Sequence, residues 1–391
     1  MKRYTLGSSS IGELEKKYVM KVLDDNFISP GPVVDHVEKE TARLHGMKHG
    51  LALNSGQSAI HVAVQAIIET RLVDRHRTRG RKQRPLVAVP ACTYISTLAA
   101  AILPGCDIVL VDVEIPSANM CPTSLENVLT AAKHNGLPVD IVIPVHLFGK
   151  ACNPRVFDVC DKHDVWVVED ACESTFAPGM GRGHILTTSF FSNHLISAGG
   201  GGVIMTNDSA LDHHCWKLVN HGRSSRFGNE NIHQIADKFH FDIWGHSMKW
   251  SDVPAAIAKA QIERRDELYE KRKLNAEGFR QNLQPLVAKG VDLPDRHGHT
   301  FMVYPILLAE KMDANRVISE LNDKGIEVRR MMPITNQPVV QKYFGSALQT
   351  EFPNAAKINR QGFYVGVHPE LTLHDIDAMS EIIIRAVNGD S

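Results

Sequence analysis

The sequence predicts an α/β protein: a mostly parallel sheet interleaved with helices, followed by a smaller α+β unit. Three observations carry that expectation. Short apolar runs at 86–90, 108–113, 141–146, 165–169 and 187–191 alternate with helical segments, as in parallel sheets with right-handed crossovers. A run of four glycines, Gly199 to Gly202, leads into a further apolar strand at 203–206. A long helix with a charged middle, from about 252 to 283, then precedes a second and smaller set of strands and helices.

The elements follow in order. Ser10-Ile-Gly-Glu13 predicts a capping box opening a helix through about residue 24, and Pro-Gly-Pro at 30–32 breaks it. A helix over 33–44 leads to a strand at 51–53. Asn54-Ser55-Gly56-Gln57-Ser58 then turns directly into an amphipathic helix over 59–72. A strand, a small-residue turn and a helix start present free backbone N–H groups to an anion, although a plain connecting turn reads the same way. The stretch Arg75–Arg84 is strongly basic and lacks apolar residues, which predicts a solvated loop, with a phosphate-rich partner as the sharper alternative. Past the long helix come strands at 301–308, 326–331 and 363–367, helices at 314–323 and 353–361, and a closing helix capped by Thr372 and Asp375. The expected division is a large domain over 1–255 and a small one over 256–391.

Composition narrows the function classes. The 391 residues carry a formal net charge of −1, which gives no global attraction to nucleic acid or membrane. The 7 cysteines are odd in number, form no CxxC pair and end at Cys215, so neither a disulfide framework nor a zinc knuckle is expected, and no metal site. No apolar run reaches membrane-spanning length and no signal-peptide core opens the chain, so a cytoplasmic, reduced protein is expected.

Two stretches suggest chemistry. The apolar run 165–169 ends in Glu169 and Asp170, with Glu173 close behind. A carboxylate at a buried strand end needs a cation or donors, and a protonated pyridine nitrogen is such a partner, as a simple turn cap is also. In Ser189-Phe-Phe-Ser-Asn-His194 a histidine sits where the backbone leaves a strand, the place where ligands collect in open α/β sheets.

Six segments stand in the order and spacing of one family: SGQSA at 55–59, PACTY at 90–94, PVHLFG at 144–149, EDACES at 169–174, SFFSNH at 189–194 and GGVIMTND at 201–208. Over nearly its whole length the chain resembles the sugar aminotransferases among pyridoxal-phosphate enzymes. That resemblance implies the aspartate-aminotransferase fold (fold type I), with a mostly parallel seven-stranded large-domain sheet and a smaller α+β C-terminal domain. It also implies pyridoxal or pyridoxamine 5′-phosphate as cofactor. Asp170 would meet the pyridine nitrogen, Tyr94 would stack on the ring, and Gly56, Gln57, Ser58 and Ser189 would hold the phosphate.

The departures are as informative as the matches. In the aminotransferases of this family the residue at 194 is the Schiff-base lysine; here it is His194, and no lysine lies between Lys162 and Lys217. An imidazole forms no stable Schiff base, so the cofactor would be held non-covalently, and the imidazole is suited to carrying protons near neutral pH. The branch with this replacement, the nucleotide-sugar 3-dehydratases, is similar in three more respects: Glu173 in place of the usual glutamine, the segment Phe363 to His368, and chain length. The resemblance therefore implies a lyase that removes the C3 hydroxyl of a nucleotide-linked 4-keto-6-deoxy sugar. His194 would be its proton carrier, glutamate the amino donor, and the assembly a homodimer. Ser247 and Lys249 replace an asparagine and an arginine that reach a partner subunit's phosphate or the substrate. His146, Arg329 and His368 are candidate substrate contacts, either histidine reading equally as a satisfied structural residue. Two further readings stay open: a lysine-less enzyme acting on another amine or amino-acid-like substrate, which the basic loop would allow to be linked to nucleic acid, and an aminotransferase-like scaffold without activity.

Overall fold

A computed structural model describes residues 2–73, 84–224, 240–331, 334–345 and 348–389. The basic stretch Arg75–Arg84 lies outside the described residues except for Arg84, whose guanidinium is 3.7 Å from Asp107.

Seven strands form the larger sheet: β1 His49–Leu53, β2 Leu86–Pro90, β3 Asp107–Val111, β4 Ile141–Val142, β5 Trp166–Asp170, β6 Ile185–Ser189 and β7 Gly202–Thr206. Their order is β1-β7-β6-β5-β4-β2-β3. The pairs from β3 through β6 are parallel, whereas β7 runs antiparallel to both β1 and β6. The sheet is thus mostly parallel, as expected, with one reversed strand, β7, which the glycine run leads into. Gly201 lies at φ +114°, and a Cβ there would come within 2.5 Å of the Trp250 ring. Only glycine passes at that point, which accounts for part of the four-glycine run.

Strands β5, β6 and β7 are buried on both faces, because helices cover each side. The helix Gly56–Arg71 buries Ile60, Ala63, Val64 and Ile67 against one face. The helices Pro32–Leu44 and Asp252–Glu263 pack with Phe190, Val203 and Met205 on the other. Asp252 ties these two helices together. Its buried carboxylate accepts the amides of Gly31 (3.0 Å), Val33 (3.3 Å) and Val34 (3.0 Å), satisfying the start of the neighbouring helix.

The smaller sheet holds β8 Tyr304–Leu307, β9 Arg329–Arg330 and β10 Gly362–Val365 in the antiparallel order β8-β10-β9. Its core gathers Phe279, Tyr304, Ile306, Phe363 and Ile383. Tyr4 joins it from the far end of the chain, through a bridge to Ile326.

Two local expectations are corrected. The first helix, Glu13–Asp24, is capped at Gly12 rather than Ser10, with Glu15 reaching back to the Gly12 amide at 2.8 Å. The long helix is two, Asp252–Glu263 and Arg265–Val287, meeting at Arg264. That corner is held by Arg264 bonding Glu15 (2.8 Å), a partner in the first helix that no local periodicity reveals.

Candidate active site

The carboxyl ends of β5 and β6 meet the start of the helix Gly56–Arg71. Ser55 caps that helix, its Oγ accepting the Ser58 amide at 3.1 Å. The amides of Gly56 and Gln57 belong to the first turn, where no helical carbonyl can receive them. The helix start presses against β6: a Cβ on Gly56 would lie 2.7 Å from both Ser189 Cβ and Cys172 Sγ. Gly56, Gln57, Ser58 and Ser189 are therefore brought into one cradle with positive helix-end character.

Asp170 closes β5 and is 3% exposed. Thr97 Oγ1 donates to its Oδ2 at 2.8 Å and the Cys172 amide to its Oδ1 at 3.1 Å. Each oxygen keeps a further lone pair, so this buried carboxylate can still accept from a cationic ring N–H. Thr97, itself 3.0 Å from Thr93, was missed in the sequence. Two threonines one helical turn apart were the available signal.

His194 lies just beyond β6, half-buried, with Nδ1 at 3.3 Å from the Ser189 carbonyl. A carbonyl only accepts, so Nδ1 carries the proton and Nε2 presents its lone pair. Burial pushes the imidazole down to about 4, with the Ser189 carbonyl and Asp170 opposing that shift. At neutral pH the ring is uncharged and in its basic form.

Glu173 is half-buried behind Asp170, with Oε2 accepting the Phe148 amide at 2.9 Å. Burial pushes its carboxyl up to about 7, the Phe148 amide opposing and Asp170 adding to the rise. Tyr94 sits at the N-cap of the helix Ile95–Ile102 and is 59% exposed, so its ring is open to a partner. Ser247 and Lys249 are exposed on a segment that returns along β1. Lys249 bridges Leu53, and the Asn54 amide donates to Met248 at 3.0 Å, beside the cradle. Arg329 is exposed on β9 and acts electrostatically on Tyr364, whose ring packs on Phe148 at 5.4 Å.

The two histidines named as candidate substrate contacts are both buried, His146 with both ring nitrogens bonded and His368 with its Nδ1 unpartnered among the described residues. His146 is fully buried; its Nδ1 accepts the Cys152 amide at 2.9 Å and its Nε2 meets Glu169 Oε2 at 2.8 Å. With both nitrogens committed, it has nothing to offer a ligand. His368 is 4% exposed and bonds Thr5 of the N-terminal segment at 3.2 Å, while its carbonyl accepts from Asn275 at 3.1 Å. Burial pushes its imidazole down to about 4.

The DegT/DnrJ/EryC1/StrS aminotransferase family matches residues 9–384 of this chain. The chain belongs to this family. Among curated relatives, GDP-perosamine synthase of Caulobacter vibrioides is 28% identical, over 98% of this chain and 99% of its own length. The GDP-4-keto-6-deoxy-D-mannose 3-dehydratase of Escherichia coli is 25% identical, over 98% of this chain and 100% of its own. A solved E. coli GDP-4-keto-6-deoxy-D-mannose-3-dehydratase with bound hydrated PLP superposes with a TM-score of 0.86 at 24% identity, covering 98% of this chain and 100% of that one. The fold is that of the pyridoxal-phosphate sugar aminotransferases.

As a DegT/DnrJ/EryC1/StrS family member the chain is built for a pyridoxal-phosphate cofactor, and its residues fit that group. The helix start is crowded against Ser189 so closely that only glycine fits at 56, which leaves amides rather than side chains facing the cradle. Asp170 supplies a buried acceptor at the end of β5. Among the described residues no helix is long and apolar enough to cross a membrane.

Proposed function

We propose that this chain is a lyase that uses pyridoxamine 5′-phosphate, held without a covalent bond, to remove the C3 hydroxyl of a nucleotide-linked 4-keto-6-deoxy sugar. One observation carries the reading: the side chain at the end of β6 is an imidazole with a free Nε2 lone pair, where an aminotransferase of this family needs a primary amine. The cofactor, when bound, supplies the amine that condenses with the sugar ketone and the electron sink for elimination. Everything else is the task of the chain. The amides of Gly56 and Gln57, with Ser58 and Ser189, hold the phosphate, and Asp170 accepts from the ring nitrogen. Tyr94 covers one face of the ring, and Lys249, Ser247 and Arg329 offer polar contacts at the rim.

His194 moves the proton. Its Nδ1–H is anchored on the Ser189 carbonyl, so Nε2 alone exchanges: it accepts a proton from carbon and returns it to the departing C3 oxygen, which leaves as water. One imidazole thus serves both halves. Glutamate restores the amine, and the net change is sugar plus glutamate giving 3-deoxy sugar, 2-oxoglutarate and ammonia. Burial of Phe190 and Leu195 on either side fixes the turn that aims the ring. The similarity to a 3-dehydratase along its full length supports the reading, as does the acid Glu173.

The test is to incubate the protein with pyridoxamine 5′-phosphate, glutamate and a panel of nucleotide 4-keto-6-deoxy sugars, and to follow product mass. A loss of one oxygen from the sugar, with ammonia released, is expected. Gain of an amino group with oxygen retained elsewhere would mark an aminotransferase instead. His194→Ala retaining full lyase activity would remove the proton carrier from the mechanism.

A further inference from the structure

The turn that carries His194 is held from outside by the beginning of the chain. Residues 4–10 run from the smaller sheet across to this turn. At one end the Tyr4 amide donates to the Gly325 carbonyl and the Glu327 amide to the Tyr4 carbonyl, each at 2.9 Å. The Leu6 amide donates to the Glu327 carboxylate at 3.3 Å. A Cβ on Gly366 would lie 2.1 Å from the Thr5 carbonyl oxygen, so the two backbones touch. At the other end Gly7 lies on Asn193, whose Cβ would be 3.0 Å from a Cβ at position 7. Ser9 Oγ then donates to the Ser192 carbonyl at 2.9 Å.

That bond belongs to a clasp of three side chains. Ser197 Oγ stands 3.0 Å from the Ser192 carbonyl and 3.1 Å from the His194 carbonyl, sharing one proton between them. Gln261, 1% exposed, joins segment and turn: its Nε2 donates to the Ser9 carbonyl at 3.0 Å and its Oε1 accepts the Ser197 amide at 3.4 Å. Ser10 stands at φ +47°, a left-handed conformation that is costly for a residue other than glycine. Arg264 and Gln261 keep it there through its carbonyl, at 3.3 and 3.4 Å. A backbone kept against such a cost has its path over-determined by its neighbours, and this path delivers the Ser9 hydroxyl to the turn. Among the described residues Ser9 is the one residue outside 189–197 that hydrogen-bonds residues 192–194.

We propose that residues 4–10 form a strap that sets where the side chain at 194 points, with Ser9 as a positioning residue acting through the Ser192 carbonyl. The inference rests on reading the site as a pyridoxal-phosphate pocket with residue 194 beside the cofactor. Proton transfer needs near hydrogen-bond contact, and a displacement of about 1 Å costs up to about 100-fold in rate. The phosphate cradle and Asp170 stand on β5, β6 and the helix Gly56–Arg71, none of which the strap bonds at these residues. Cofactor affinity and the aim of residue 194 therefore have separate supports, and loosening the strap should disturb the second alone.

The experiment uses His194→Lys, in which the new primary amine reports its own approach to the cofactor. The amine condenses with the aldehyde of pyridoxal 5′-phosphate and water leaves, so visible absorbance grows at a rate set by how well the side chain is placed. Adding Ser9→Ala should slow that growth about 5–10-fold at saturating cofactor, the worth of one neutral hydrogen bond. Ser9→Thr, which keeps the hydroxyl, should restore the rate. The Kd for pyridoxamine 5′-phosphate, which has no aldehyde, should stay within about twofold in every variant, since one bond outside the cradle is all that changes. An unchanged rate in Ser9→Ala, an equal slowing in Ser9→Thr, or a Kd weakened as much as the rate overturns the proposal alone. No visible absorbance in His194→Lys with Ser9 intact overturns the pocket reading and the proposal with it.

Discussion

Replacing Gly56 by alanine adds one methyl group at the point where the cofactor helix meets β6. That carbon would lie 2.7 Å from Ser189 Cβ and from Cys172 Sγ, where carbon contacts are comfortable at about 3.5–4.0 Å. The shortfall is about 1 Å on two sides. Ser189 Cβ is fixed to a strand buried on both faces, so the helix start must move. Overpacking of this kind costs about 1–3 kcal/mol, and the helix preference of alanine over glycine returns about 1. Net stability therefore changes by only about 0–2 kcal/mol and is a weak reporter. Affinity is the stronger one. A shift of about 1 Å separates the helix amides from Ser189, and loss of one well-aligned hydrogen bond to a charged phosphate is worth about 1.5–3 kcal/mol. The expected Kd for pyridoxal 5′-phosphate is about 10–100-fold weaker, measured by fluorescence titration beside urea denaturation of the same samples. An unchanged Kd in a variant of normal stability would mean that the phosphate does not sit in this cradle.

Three further outcomes follow from the same geometry. His194→Lys should bind pyridoxal 5′-phosphate covalently, giving visible absorbance that borohydride bleaches while fixing the cofactor to the chain, and should lose elimination; absorbance unchanged from wild type would place residue 194 away from the cofactor. Asp252→Ala strips three helix-start amides of a buried acceptor, for an expected loss of about 2–4 kcal/mol by urea denaturation, and a loss under 1 kcal/mol would contradict its capping role. Burial pushes His45, His194 and His368 down to about 4 and His299 to about 3, so the folded chain binds fewer protons at these four sites than the unfolded chain below about pH 6.5. Glu173, raised to about 7, opposes with a single group. Stability should therefore fall as pH drops from 6.5 to 4, read as a falling urea midpoint; a flat or rising midpoint would refute the buried-neutral assignment.

Much of this was legible in the residue order. The alternating apolar runs located all seven strands of the large sheet to within a few residues, because strands buried on both faces must be continuously apolar. The helices Ala314–Asp323 and Pro353–Gln361 match their expected bounds, both carrying a start signal that acts within a few residues, Asp313 as a cap and Pro353 at the first turn. The same local logic erred at Ser10, where the competing cap at Gly12 is completed by Arg264 from more than two hundred residues away. It left His146 and His368 undecided between ligand contact and structural role.

Residue types and their spacing settled the layer architecture, the family and the absence of an amine at position 194, since each depends on chemistry written along the chain. How each candidate side chain is buried and bonded depends on contacts between segments remote in sequence. His368 is buried against Thr5 through Nε2 with its Nδ1 unpartnered among the described residues, and the Cys152 amide and Glu169 engage both nitrogens of His146. The pairing of Met302 with Phe148 helps fix the amide that bonds Glu173. Desolvation and hydrogen-bond partnership are properties of three-dimensional neighbours, and they determine which of several acids and histidines keeps a proton to exchange.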